Sequence, residues 1–178
     1  MINDDEVVFY DPPKQDLVTG ETLPACRGTP LYYEDYEGAR TYTIGPREMN
    51  EAEILRFGKE FDRQFIHTDP ERAKGGPFGS VIASGWHTTA IMMQMLVGTV
   101  LQEETAIAGA GVEGVKWMQP VLPGARLTLI VRPTQVRASR SNPDRGLVRF
   151  EMEMVNQHEV VVMETRLLGV VRRRHVEK

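Results

Sequence analysis

At 178 residues and a formal charge of −4, the chain has the length of one domain with a sizeable core, and two compact domains would be cramped. Its 21 Lys and Arg are scattered except for Arg172, Arg173 and Arg174, which argues against nucleic acid as a partner. A single cysteine, Cys26, excludes an intrachain disulfide framework and a CxxC zinc spacing, so a reducing compartment, the cytoplasm, is expected.

The chain begins with the acidic MINDDEVVFYDPP, which has neither the basic flank nor the apolar run of a signal peptide. Residues 1–36 mix charges with Pro12, Pro13, Pro24 and Pro30 and show no period, as expected of an extended arm ahead of a domain over 37–178. RTYTIG (40–45) alternates as a first strand. MNEAEILRFGKEF then changes to helical spacing, with Asn50 and Glu53 as a capping box and Ile54, Leu55, Phe57, Gly58 and Phe61 on one apolar face. That helix should end near Phe61, leaving Asp62 and His67 in the loop that follows.

DPERAK reads as one helical turn capped by Asp69. GGPFGSVIASG is a Gly-rich approach in which backbone can come close to a neighbour. SGWHTTAIMMQMLVGTVLQ, from Ser84, is apolar on nearly all sides and predicts a long helix buried in the core. Its most apolar part, 91–101, is too short and too interrupted by Gln94, Gly98 and Thr99 to span a bilayer, so no membrane is expected. GVEGVKWMQPV, ARLTLIVRPTQVRAS, LVRFEMEMVNQ and EVVVMETRLLGVVRRR read as strands, with SNPDRG and NQHE as turns between them. The order predicts an α+β fold, a central helix wrapped by an antiparallel β-sheet.

Few residues carry candidate chemistry. His158 falls in a turn, and His87 in the first turn of the buried helix reads as a core histidine. His67 differs because the carboxylate of Asp62 precedes it by five residues on the same loop. A D-x4-H spacing alone also fits a loop-fixing ion pair. No GxSxG elbow, GxGxxG or GKS loop is present, and the metal reading, which would recruit Asp69 and His87, matches no ligand spacing.

YYEDYEGARTYTIGPREMNEAEILRFGKEFDRQFIHTDPERAKGGPFGSVIASGWHTTAIMMQML, continued by GVEGVKWMQPVLPGARLTL, resembles the MaoC-like dehydratase family, hotdog-fold relatives of (R)-specific enoyl-CoA hydratases. The resemblance covers roughly residues 32–173. It implies a single hotdog domain, an acyl-CoA thioester as substrate with no other cofactor, and at least a homodimer. Asp62 and His67 align with the hydratase dyad in the pattern D-x-N-P-x-H, and Gly85 with the glycine whose N–H serves the thioester oxygen. Gln64 and Phe65 stand in place of the Asn-Pro, and Ser84, followed by Trp86 and His87, in place of the histidine before that glycine. Met93 takes the position of a serine that assists the dyad in some hydratases. The resemblance thus implies Asp62, His67 and Gly85 as catalytic, and Gln64, Phe65, Ser84, Trp86 and His87 as substrate-binding. The implied activity is reversible hydration of an enoyl-CoA, with an acyl-CoA thioesterase or a non-catalytic acyl-CoA-binding subunit as alternatives.

Overall fold

The computed structural model describes residues 22–24, 30–38 and 40–174. Most of the arm expected over 1–36, Cys26 included, lies outside them. In chain order the elements are β1 (Thr22–Pro24), a 3-10 turn (Tyr33–Tyr36), β2 (Thr41–Glu48), α1 (Glu51–Phe61), α2 (Phe65–Thr68), α3 (Pro70–Lys74), α4 (Gly85–Leu96), β3 (Ala106–Trp117), β4 (Arg126–Ala138), β5 (Arg145–Val155) and β6 (Val161–Arg172). The strands form one sheet in the order β1-β2-β4-β5-β6-β3, antiparallel except for the short β1–β2 pair.

Period-two patterning decides which face of the sheet is buried. Leu127, Leu129 and Val131 of β4 and Val148, Phe150, Met152 and Met154 of β5 are at most 1% exposed, and α4 packs on them through Ile91, Met92, Met95 and Leu96. Burying side chains of this size contributes about 1.5–3 kcal/mol each, so this face dominates the stability. Met92 and Met95 are therefore core.

Helix α4 stops at Leu96, short of the length its apolar run predicts. Gly98 adopts φ 79° and donates its N–H to Leu101 O (2.7 Å), while the Thr99 hydroxyl donates to Met95 O (2.6 Å). The last carbonyls are satisfied by this turn instead of by further helix.

Residues 30–36, read from sequence as the end of an arm, pack into the core. Leu31, Tyr33 and Tyr36 are buried, and the Tyr36 hydroxyl donates to Val100 O at 2.6 Å. The acidic turn also engages the basic C-terminal run: Arg173 Nε donates to Glu34 at 3.3 Å and Arg174 to Asp35 at 2.6 Å. In α1 the capping box forms by half. Asn50 accepts from Glu53 N–H (2.8 Å), but the Glu53 carboxylate pairs with Arg47 (2.9 Å). Phe61, expected on the apolar face, is 67% exposed, whereas Ile54 and Gly58 are buried.

Candidate active site

The site is assembled where α1 ends. Asp62 closes that helix, its N–H donating to Gly58 O at 2.9 Å, and Gln64 then opens α2. His67 therefore sits on a single helical turn and not in the loop expected from sequence. Close docking of this turn on α1 depends on Gly58, where a Cβ would overlap the carbonyl oxygen and Cβ of His67. The segment 81–84 runs alongside: Ile82 N–H donates to Ile66 O (2.9 Å) and Ala83 N–H to Val121 O (2.8 Å), which delivers Ser84 and the start of α4 to the same place.

His67 is 5% exposed. Its Nδ1 lies 2.8 Å from Ile82 O, an acceptor only, so Nδ1 carries a proton, and whenever the ring is neutral Nε2 is bare. Nε2 faces Asp62 Oδ2 at 3.4 Å. The same oxygen accepts the Ser84 hydroxyl at 2.7 Å, and Oδ1 accepts Gln64 Nε2 at 2.9 Å. Burial by itself would raise the Asp62 carboxyl, but the donors from Gln64 and Ser84, with the charge of His67, outweigh it and hold the group below its ordinary value. Asp62 is an ionised acceptor at neutral pH.

Ser84 is the N-cap of α4, accepting from Trp86 N–H at 3.3 Å. Gly85 follows as the first helical residue, and an N–H at that position has no acceptor within its own helix. The ring of Trp117, from the end of β3, lies against Gly85 where a Cβ would stand. Trp117 also donates its Nε1–H to the Thr89 hydroxyl (3.2 Å) and meets Trp86 edge-on at 5.3 Å between centroids. Trp86 is 61% exposed. The two rings flank the approach to the first turn of α4.

The geometry thus brings together Asp62, His67, Ser84, Gln64, Gly85 and Trp86 of the residues singled out in the sequence. It takes two others elsewhere. His87, expected to line a substrate site, turns toward α1 and stacks on Phe57 at 4.6 Å and 8°. Phe65 is half-buried beneath the Arg72 guanidinium (4.5 Å) and beside Gly76, on the α3 side. Asp69 caps α3 by accepting from Arg72 N–H at 3.0 Å, as its position before Pro70 predicts. Among the described residues no group of three or more His, Cys, Asp or Glu is arranged to hold a metal ion. No described helix is long and apolar enough to cross a membrane. Sequence reasoning missed Trp117, which no local signal ties to Gly85, and the carbonyl of Ile82, which carries no side-chain signature at all.

Comparison with known proteins adds context. A family model described as the MaoC like domain matches residues 34–168. The crystal structure of a MaoC-like dehydratase from Rhodospirillum rubrum superposes with a TM-score of 0.75 at 35% identity, covering 82% of this chain and 99% of that one. The Bacillus subtilis protein YdeM, itself uncharacterized, is 31% identical over 126 residues, 71% of this chain and 88% of its own. Over a shorter stretch of 68 residues the chain is 43% identical to 3-hydroxyacyl-thioester dehydratase Z of Mycobacterium tuberculosis, a match to 44% of that protein.

Proposed function

The chain belongs to the MaoC-like domain family, a single α+β hotdog domain of the dehydratase type, and on that premise we propose that it reversibly hydrates an enoyl-CoA thioester. One observation carries this reading: Asp62 Oδ2 and His67 Nε2, 3.4 Å apart, are both acceptors when the ring is neutral. Two facing acceptors repel unless a proton or a water lies between them. A water that donates one hydrogen to each would have its oxygen lone pairs turned outward, toward a substrate carbon.

In hydration the pair takes one proton from this water as its oxygen bonds to C3 of the enoyl group. The π electrons move onto the thioester oxygen, C2 then receives a proton returned by the pair, and the enolate collapses to the thioester. Dehydration is the reverse. An imidazole can take up and return a proton, which suits both directions. The Gly85 N–H, at the positive end of α4, is the donor available to the developing oxyanion. The chemistry requires no metal or redox cofactor beyond the coenzyme A of the substrate.

Hydration of crotonyl-CoA and longer enoyl-CoAs, followed by loss of the conjugated absorbance, tests this directly. Wild type should turn over, and Asp62→Asn and His67→Ala should lose nearly all of that rate. Release of free thiol in place of hydration would make the protein a thioesterase, and binding of acyl-CoA without turnover would make it a non-catalytic subunit; either result overturns the hydratase reading.

We also propose a homodimer. Among the described residues β3 pairs through one edge only, with β6, and Val112, Trp117 and Met118 on or beside it are 45–50% exposed. A long edge with exposed apolar side chains is a template for pairing with a second chain. Light scattering at micromolar concentration should give twice the chain mass, and a monomer would contradict the proposal.

A further inference from the structure

Resting on the hydratase reading of the Asp62–His67 pair, we infer that Ser84 and Gln64 are positioning residues: together they fix which carboxylate oxygen meets His67 and tie that oxygen to the first turn of α4. The resemblance placed both among substrate-binding candidates, but the Ser84 hydroxyl is buried and the exposed Gln64 turns its amide onto Asp62. Ser84 is 1% exposed, its one proton goes to Asp62 Oδ2 (2.7 Å) and its lone pair takes Trp86 N–H (3.3 Å). Gln64 Nε2 holds the other oxygen, Oδ1, at 2.9 Å.

An aspartate carboxylate rotates in a broad, twofold well, so a single donor leaves its two oxygens nearly interchangeable. Two donors on opposite oxygens remove that freedom. One hydroxyl also joins the base to the backbone turn that presents Gly85 N–H, so the group activating water and the donor for the oxyanion are held in one frame. Among the described residues Asp62 is acted on by one titratable neighbour, His67 of α2; the start of α4 brings it the Ser84 hydroxyl and the start of α2 the Gln64 amide, both neutral.

The test compares Ser84→Ala, Ser84→Thr and Gln64→Ala with wild type, in kcat and KM against pH and in a carbon-13 NMR titration of the Asp62 carboxyl. Loss of a hydrogen bond to a charged group should lower kcat about tenfold or more for Ser84→Ala, and less for the exposed Gln64→Ala, with KM nearly unchanged. The acid limb of the rate profile and the Asp62 carboxyl titration should both move to higher pH in the two alanine variants, and Ser84→Thr should restore them. A merely structural cap would lower the melting temperature of Ser84→Ala and leave the carboxyl titration where it was, which overturns the inference. A rise in KM at constant kcat would return Ser84 to substrate binding and overturns it equally. Gln64→Ala, at the surface, keeps the test readable if Ser84→Ala fails to fold. Because the NMR titration needs no substrate, an inactive wild type would sink the hydratase reading while the placement of Asp62 by its two donors is still decided.

Discussion

His67 and His87 are equally buried, each 5% exposed, yet their surroundings make them different groups. Around His67 both ring nitrogens are matched, a carbonyl on Nδ1 and a carboxylate facing Nε2. His87 lies flat on Phe57, and its Nδ1 has no hydrogen-bond partner among the described residues. Burial holds His87 below its ordinary value; Glu53 opposes this, and Arg47 and Arg56 add to it. Burial alone therefore does not make a histidine a reagent. An acceptor on one nitrogen fixes the tautomer, and a charged partner on the other gives the free lone pair something to work with.

The largest expected effect breaks the comparison at its stronger end. Asp62→Asn keeps the shape but removes the charge, and His67→Ala removes the ring; each should lower kcat/KM for an enoyl-CoA by about 10²–10⁴. His87→Leu, which removes a nitrogen that no described residue satisfies, should keep a rate of the same order as wild type. Equal losses at His67 and His87 would show that the contrast between the two environments has no functional meaning.

A smaller effect comes from moving His67 without altering it. Alanine at an exposed helical position usually stabilises by about 1 kcal/mol over glycine. At Gly58 the new methyl would overlap backbone of α2, which cannot swing aside as a side-chain tip could. Crowding of this kind costs about 1–3 kcal/mol, so Gly58→Ala should lower stability in denaturant melts against the sign of helix propensity. It should also lower kcat, since displacing α2 carries Nε2 away from Asp62 Oδ2. A stabilised, fully active Gly58→Ala would mean that the two helices are not in tight contact.

Much of this arrangement was legible in the sequence because it is written in local pattern. Alternation in Leu127, Leu129 and Val131 gave the buried face of β4, Asn50 and Asp69 gave two helix starts, and the order of blocks from Tyr32 onward gave the family. The illegible parts depend on distant backbone. α2 is one turn long and has no periodic signature, and the end of α4 is set by a turn at Gly98 that hydrophobicity does not register. Gln64 read as a change in the pattern around the dyad, but that its amide donates to Asp62 follows only from where α1 stops. Ser84 and Asp62 are 22 residues apart, and only the course of segment 81–84 beside α2 joins them.

The smallest expected effect concerns His87 and sharpens the comparison through pH. Because its folded pKa is depressed, the unfolded chain binds the proton first, and stability rises with pH wherever that imbalance exists. The contribution is fully present above the unfolded value, about 6.5, and is lost as pH falls from there toward the folded value, with a slope of at most about 1.4 kcal/mol per pH unit. Asp62 is also depressed, so its contribution has the same sign, but it is lost only at lower pH, below the ordinary carboxylate value of about 4. The two sites therefore titrate in separate windows. Denaturant melts between pH 7.5 and 5.5 should show wild type losing stability on acidification and His87→Leu losing less. A His87→Leu variant with an undiminished slope would mean that the stacked ring takes up its proton as readily in the folded chain as in the unfolded one, and that the unpartnered Nδ1 finds a partner when it does.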